Sequence, residues 1–330
     1  MNGPSLSVAV RRWRLAKPFR ISRGEKTHAV VVEVQLEKDG RVGRGEGVPY
    51  GRYGETVEGT VGRIEAFAEA IGAGMSRQEL RQQLEAGAAR NAIDCALWDL
   101  EAKLAGKRAW ELAEMPSVQP LVTAFTLSID SPERLSCYAT EHRDRPLLKL
   151  KLAGDGSDLD RLRAVHAAAP GAALWLDANE GLSIEACQRL APHLLDLGVR
   201  VLEQPLPAAD DQLLKDLECA VPLCADESFR GGVESLAGLS DVYELVNVKL
   251  DKSGGLTESL DVIRAARARG LGVVVGCMCS SSLSIAPAIL LAQDALFADL
   301  DAALLLAEDH TERVRYANGR VYPPSSATWG

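Results

Sequence analysis

Five charged side chains recur at matched intervals through the second half of the chain. They are Lys151, Asp177, Glu203, Asp226 and Lys249, each 23 to 26 residues after the last. Each closes a short apolar run, as in Leu-Leu-Lys-Leu-Lys at Leu147–Lys151 and Val-Asn-Val-Lys at Val246–Lys249. A charge just after one strand is ordinary loop chemistry. Five at one repeat, several set against apolar neighbours, need partners or a metal, because an unpaired buried charge is costly. Asp177, Glu203 and Asp226 come from consecutive runs. Three oxygen donors without imidazole or thiolate suit a hard cation: Mg2+, with Mn2+ as a substitute. A buried lysine–carboxylate network is the competing reading.

The lysines suggest what such a centre does. If the runs close into an eight-stranded ring, Lys151 and Lys249 are four strands apart and face a central carbon from opposite sides. That geometry suits proton removal from one face and delivery to the other. Lys149 points to the same side as Lys151, two residues away. A neighbouring ammonium and a nearby metal would disfavour a second ammonium there and suit Lys151 to act as a base. Asp299 and Asp301 close the last run and share a face across the ring from the metal. They would hold a cation, although one of the two could instead cap a helix or sit in a solvated loop. A substrate with a carboxylate at one end and an ammonium at the other is implied.

The elements that position these residues follow from periodicity. Alternation marks strands at Ser5–Val10 and His28–Glu37, with a third over Arg41–Pro49. Pro18–Gly24 reads as a loop between the first two. Helices are expected over Glu55–Gly72 and Ala88–Ala105; in the second, Ile93, Ala96, Leu97, Leu100 and Leu104 share a face. From about residue 120, eight apolar runs alternate with helical segments. The runs are Leu121–Leu127, Leu147–Leu152, Ala173–Leu176, Val199–Leu202, Pro222–Ala225, Leu245–Leu250, Leu271–Cys277 and Ala295–Phe297. Leu159–Ala169 and Glu258–Arg269 are among the helices. Repeated βα units argue for a parallel sheet, and eight of them for a barrel whose chemistry lies at the C-terminal strand ends. No dinucleotide or P-loop glycine motif follows any run.

Composition sets outer bounds. The 330 residues carry a net charge of -9, which argues against a nucleic-acid surface. The seven scattered cysteines do not read as a disulfide framework and fit a reducing compartment. No membrane span or signal segment is evident, so a cytoplasmic protein is expected. The five histidines form no paired metal motif.

With these residues in place, the sequence resembles the muconate-lactonizing-enzyme subgroup of the enolase superfamily. The Lys149-Leu150-Lys151 pair, the Asp177/Glu203/Asp226 trio and Lys249 match that subgroup in order and spacing. The likeness extends to AARNAIDCALWDL at Ala88–Leu100 and NVKLDKSGGLTE at Asn247–Glu258. It is strongest to the dipeptide epimerases, in RYGET at Arg52–Thr56, LCADES at Leu223–Ser228, GCMC at Gly276–Cys279 and FADLD at Phe297–Asp301. Cys279 stands where many subgroup members carry an acidic residue.

The resemblance implies an α/β protein: a modified (β/α)7β barrel over residues 116–304. An α+β capping domain at 1–115 is joined by the C-terminal segment 305–330, whose strand-like Val314–Tyr322 returns to the cap. It implies Mg2+ at Asp177, Glu203 and Asp226, catalysis by Lys151 and Lys249, and a dipeptide ammonium on Asp299 and Asp301. Thr126, Lys149 and Cys277 would also line the substrate site. An arginine of the capping loop, Arg23 or its neighbour Arg20, would meet a glutamate side chain. The activity implied is L-Ala-L-Glu to L-Ala-D-Glu epimerisation in the recycling of murein peptides. Homo-oligomers are common among related barrels. o-Succinylbenzoate synthase and muconate cycloisomerase share the lysines and ligands but need no carboxylate pair for an ammonium. A hydrolase using the paired carboxylates would leave the lysines idle. A metal-stabilised binding protein without catalysis is the remaining alternative.

Overall fold

The computed structural model describes residues 3–330. The cap begins with an antiparallel sheet, β1 (Ser5–Ile21), β2 (Gly24–Lys38) and β3 (Arg41–Gly47), in that order. Strand β1 runs through the segment expected as a loop. Its register shifts between Arg14 and Phe19, which accommodates Pro18 at the edge of the sheet, and only Ser22 and Arg23 form the turn. Four helices follow: α1 (Val57–Ala66), α2 (Ala68–Gly72), α3 (Arg77–Gln83) and the long α4 (Ala88–Ala105), then the short α5 (Ala109–Leu112). The single helix expected over Glu55–Gly72 is broken at Phe67.

Helix α4 is buried almost all round. A side chain at Gly43, Gly45 or Gly47 would collide with the carbonyls of Ala96, Ala92 or Ala88. Small residues facing small residues thus seat the helix backbone directly on β3.

All eight expected runs deliver a strand to one parallel sheet: β5 (Phe125–Leu127), β6 (Leu147–Lys151), β7 (Ala173–Asp177), β8 (Val199–Glu203), β9 (Leu223–Ala225), β10 (Leu245–Val248), β11 (Gly272–Gly276) and β12 (Phe297–Asp299). Ala124 N donates to Ala298 O at 2.9 Å, and Leu300 N donates to Thr123 Oγ1 at 2.8 Å; these bonds bring the last strand against the first. The crossovers carry α6 (Pro132–Glu141), α7 (Asp158–Ala168), α8 (Ile184–Leu194), α10 (Leu256–Ala268) and α11 (Ser282–Leu291), with a single turn, α9 (Leu250–Ser253), before α10. The two crossovers flanking β9 hold only 3-10 turns, at Ala208–Asp216, Val233–Leu236 and Leu239–Asp241.

The first run splits. Leu121–Val122 is a separate strand, β4, which pairs with β14 (Arg320–Val321) of a hairpin whose other arm is β13 (Tyr316–Ala317). The hairpin therefore lies on the barrel rather than the cap. The residues after it reach the cap: Trp329 Nε1 donates to Cys95 O at 3.0 Å and Gly330 N to Asp99 Oδ1 at 2.7 Å. Inside the barrel, Ala124, Leu147, Trp175, Val201, Cys224, Leu245 and Val274 pack as an apolar plug below the charged strand ends.

Candidate active site

Parallel register sets the site. Lys151 is level with Asp177, and Asp177 with Glu203; Gly276, which follows Val275, is level with Asp299. The strand ends face a cavity of about 430 Å³ under the cap, which Asp177, Glu203 and Asp226 do not themselves line. Lys149, Lys151 and Lys249 line it, as do Thr126, Cys277, Asp299 and Asp301.

Lys149 is the hub. Its ammonium lies 3.0 Å from Asp177 Oδ2, 2.6 Å from Glu203 Oε2 and 2.7 Å from Asp299 Oδ2. It rests over the Trp175 ring, 4.5 Å from its centre. Burial disfavours the ammonium, but Asp177, Asp299 and Glu203 outweigh burial and hold Lys149 well above the ordinary lysine range. Lys151 donates to the same Asp177 oxygen at 2.5 Å. Four strands away, Lys249 donates to Asp226 Oδ2 at 2.7 Å, and Lys252 to Asp226 Oδ1 at 2.7 Å. Burial is likewise overcome at Lys249, chiefly by Asp226, so its pKa is raised, whereas Lys252 is lowered by burial.

The donor set fits a hard cation. Asp177, Glu203 and Asp226 are at most 2% exposed. Burial, then the charge of Asp177, pushes Glu203 up to about 7, even with the Lys149 ammonium 2.6 Å from its Oε2. A carboxylate under that double penalty is one a divalent cation would stabilise. The contacts present are those of the lysine–carboxylate network. Among the described residues, only Glu33, Glu46 and His310 bring three ligand atoms within 4.8 Å of one another. The same three carboxylates thus serve either arrangement, with ammonium groups standing beside their oxygens here.

The Asp-x-Asp pair sits on the β12 side. Asp301 Oδ2 accepts from Thr126 N at 2.6 Å, and burial, with the charge of Asp299, raises Asp301 to about 7. Asp299 Oδ1 is buried without a partner. Cys277 Sγ donates to Asp299 O at 3.2 Å and steadies that residue.

The cap supplies the roof, and its cations are not equivalent. Arg23 lines the cavity, but Nη1 donates to Asn179 O at 2.6 Å and Nη2 to Tyr50 Oη at 2.7 Å and Glu227 Oε1 at 2.5 Å. Arg52 is paired with Glu180 at 2.7 Å. Arg20 pairs with Glu25 and does not line the cavity. Lys26 does line it and has no carboxylate within ion-pair distance. It lies 5.6 Å from the Tyr50 ring centre.

Sequence reasoning missed Lys26, Lys252, Asn247 and Glu227. Asn247 carried a signal, a lone amide between two valines, and it donates to Glu203 Oε1 at 2.6 Å. Lys252 and Glu227 lie beside residues that were read, within LDKS and ADES. Lys26 carried none.

Comparison with known proteins identifies the family. Residues 5–113 match the family model "Mandelate racemase / muconate lactonizing enzyme, N-terminal domain", and residues 139–330 match "Enolase C-terminal domain-like". The L-Ala-D/L-Glu epimerase of Escherichia coli (strain K12) is 39% identical, over 96% of this chain and 99% of that one. An enolase family member from Agrobacterium tumefaciens with homology to dipeptide epimerases, solved with sodium and L-Ala-L-Glu, superposes with a TM-score of 0.97 at 47% identity. That match covers 99% of this chain and 100% of that one. The dipeptide epimerase of Methylococcus capsulatus, complexed with Mg and L-Arg-D-Lys, gives 0.90 at 29% identity, over 98% and 97% of the two chains. The chain belongs to the mandelate racemase/muconate lactonizing enzyme group of the enolase superfamily and is an isomerase.

Proposed function

We propose that this member of the group epimerises dipeptides at the α-carbon of the C-terminal residue, converting L-Ala-L-Glu to L-Ala-D-Glu. The observation that carries the reading is the pair of lysines, Lys151 and Lys249, reaching one cavity from strands four apart in a ring of eight. Asp177, Glu203 and Asp226 hold Mg2+ as their donor chemistry suggests, with Mn2+ able to replace it. When bound, the metal supplies positive charge to the substrate carboxylate and so acidifies the neighbouring α-carbon.

The chain's own groups do the rest. One lysine takes the α-proton, and the other, as an ammonium, returns a proton to the opposite face. Lys149 stays charged between Asp177, Glu203 and Asp299 and adds positive potential beside the same carboxylate. Asp299 and Asp301, with Thr126 and Cys277 fixing them, receive the substrate ammonium. Lys26 receives an acidic side chain. Among the described residues it is the cavity cation without an ion pair, whereas Arg23 holds the cap to Asn179 and Glu227. The cap excludes water, which strengthens each of these contacts.

The substrate fits recycling of murein-derived dipeptides in the cytoplasm, where the seven free cysteines would stay reduced. Among the described residues, no helix is long and apolar enough to cross a membrane. The test is a dipeptide library incubated with enzyme and Mg2+ in deuterated water, with mass spectrometry of the C-terminal α-carbon. Uptake strongest for alanyl-glutamate is expected. No uptake by any dipeptide overturns the proposal and favours a cycloisomerase, an o-succinylbenzoate synthase or a binding protein.

A further inference from the structure

Away from the barrel mouth, Glu33 on β2 and Glu46 on β3 stand directly opposite each other in the cap sheet. Like charges at such a pair are destabilising, and burial makes the repulsion worse. Here the two residues are 3% and 1% exposed. Their compensation is uneven: against burial, His310 and Arg11 hold Glu33 below the usual carboxylate range, while Glu46 has no cationic partner. Arg11, half exposed, donates to Glu33 Oε2 at 3.3 Å. Glu46 accepts from Ser281 N at 2.9 Å and from Ser281 Oγ, both neutral donors at the start of α11.

The third member is His310, from the segment that follows the barrel. Its Nε2 lies 3.1 Å from Glu33 Oε1, yet neither atom has a hydrogen-bond partner. The two approach each other without the alignment of an N–H···O bond. Trp13 packs edge-on against the imidazole with ring centres 5.0 Å apart and fixes its direction. One oxygen of each glutamate and one nitrogen of His310 all lie within 4.8 Å of one another. Zinc–oxygen and zinc–nitrogen bonds of about 2.1 Å set ligand atoms about 3.4 Å apart in a tetrahedron, so the three atoms, now within 4.8 Å of one another, would need only small side-chain shifts to close on an ion.

We propose that Glu33, Glu46 and His310 form a second metal site, for a divalent transition cation of the zinc class. One imidazole and two carboxylates are borderline ligands that favour zinc or cobalt over magnesium, unlike the all-oxygen set at the barrel mouth. The cation would neutralise the opposed glutamates. The charge of Glu33 adds to burial, which pushes Glu46 up to about 8. It would also staple three parts of the fold: the cap sheet through Glu33 and Glu46, the tail through His310, and the barrel through Ser281 behind Glu46. His310 is the least buried ligand and gives an entry path from solvent.

The experiment is Co2+ titration of metal-stripped protein, read by metal content and by visible absorption, with His310→Ala and Glu33→Gln as variants. The wild type should bind one more Co2+ per chain than either variant. At that equivalent His310→Ala should bind at least about 100-fold more weakly. With Mg2+ saturating, Zn2+ should raise the Tm of the wild type and leave that of His310→Ala unmoved, while both retain Mg2+-supported activity. Equal Co2+ content in wild type and both variants overturns the site. So does a wild-type Tm that follows pH but ignores Zn2+, which would mean the glutamates share a proton instead. Two variants on separate elements guard against one failing to fold.

Discussion

The barrel mouth and the cap loops face the same cavity but are built on different terms. Below, Lys151, Asp177 and Glu203 end strands, Asp226 and Lys249 follow them directly, and Lys149 lies two residues inside β6; all are at most 8% exposed. Each is held by another charge of the set, and their backbones are tied into a continuous ladder. Above, Arg23 sits in the β1–β2 turn, Lys26 near the start of β2 and Arg52 in the loop after β3, and all keep contact with solvent. Two of them latch the cap to the barrel; the third faces the cavity unpaired. On the proposed function, the contrast places bond-making at rigid strand ends, where placement within an ångström matters, and side-chain recognition in the cap, which can change without disturbing it.

The hardest test of that division falls on the lysines. Lys151→Ala and Lys249→Ala should each reduce epimerisation by about 10³-fold or more, since each removes one half of the proton transfer. Each should keep some α-proton exchange with deuterated water, one with the L,L dipeptide and the other with the L,D. If both exchange the same isomer, the opposed-face geometry is wrong. Glu203→Gln, or chelation, should abolish turnover nearly as fully, and added Mg2+ should rescue only the chelated wild type. Full activity after rigorous metal removal would sink the cation reading of the three carboxylates.

Binding groups should show smaller, substrate-dependent losses. Asp301→Asn should raise KM for L-Ala-L-Glu by about 10- to 100-fold, a charged hydrogen bond's worth, and do less to an N-acylated analogue that has no ammonium. Lys26→Ala should cost about 10-fold in kcat/KM with an acidic C-terminal side chain and little with a neutral one. Arg23→Ala should depress both substrates alike, because it loosens the latch rather than a substrate contact. A selective loss at Arg23 and none at Lys26 would restore Arg23 to the role the sequence suggested.

This contrast also explains what could be read from the sequence. The strand-end residues stood out because a lysine among leucines, or an asparagine between valines, is costly without a purpose. Their repeat of about two dozen residues is the length of one βα unit, so the barrel came with them. Two kinds of feature stayed hidden. Arg20, Arg23 and Lys26 are ordinary surface residue types, and only three-dimensional partners separate the paired guanidiniums from the ammonium without an ion pair. Long-range pairing was hidden too. Leu121–Val122 looks like the start of a barrel strand, yet it bonds to Arg320–Val321, nearly two hundred residues on. Pro18 reads as a loop marker, but an edge strand with a register shift absorbs it.

The smallest effect tests where the adjustable cap ends. At its base, α4 is as buried as the barrel wall. Its Asp94 accepts from Thr257 N at 3.0 Å and from Thr257 Oγ1, at the start of α10. Burial pushes this carboxyl up to about 6 despite those donors. The folded value lies above the unfolded one of about 3.9, so the native state holds the proton more tightly. The resulting stability is complete below about pH 4 and is lost as pH rises through about 6. Asp94→Asn keeps an acceptor and removes the charge. Between about pH 4 and pH 7 the wild type should lose on the order of 1–3 kcal/mol that the variant keeps, seen as a flatter dependence of Tm on pH. Turnover at a fixed pH should not change, because Asp94 does not line the cavity. A fall in kcat with stability intact would mean that α4 moves during the reaction. The boundary between rigid scaffold and adjustable roof would then lie within the cap sheet's own helix rather than at the loops above it.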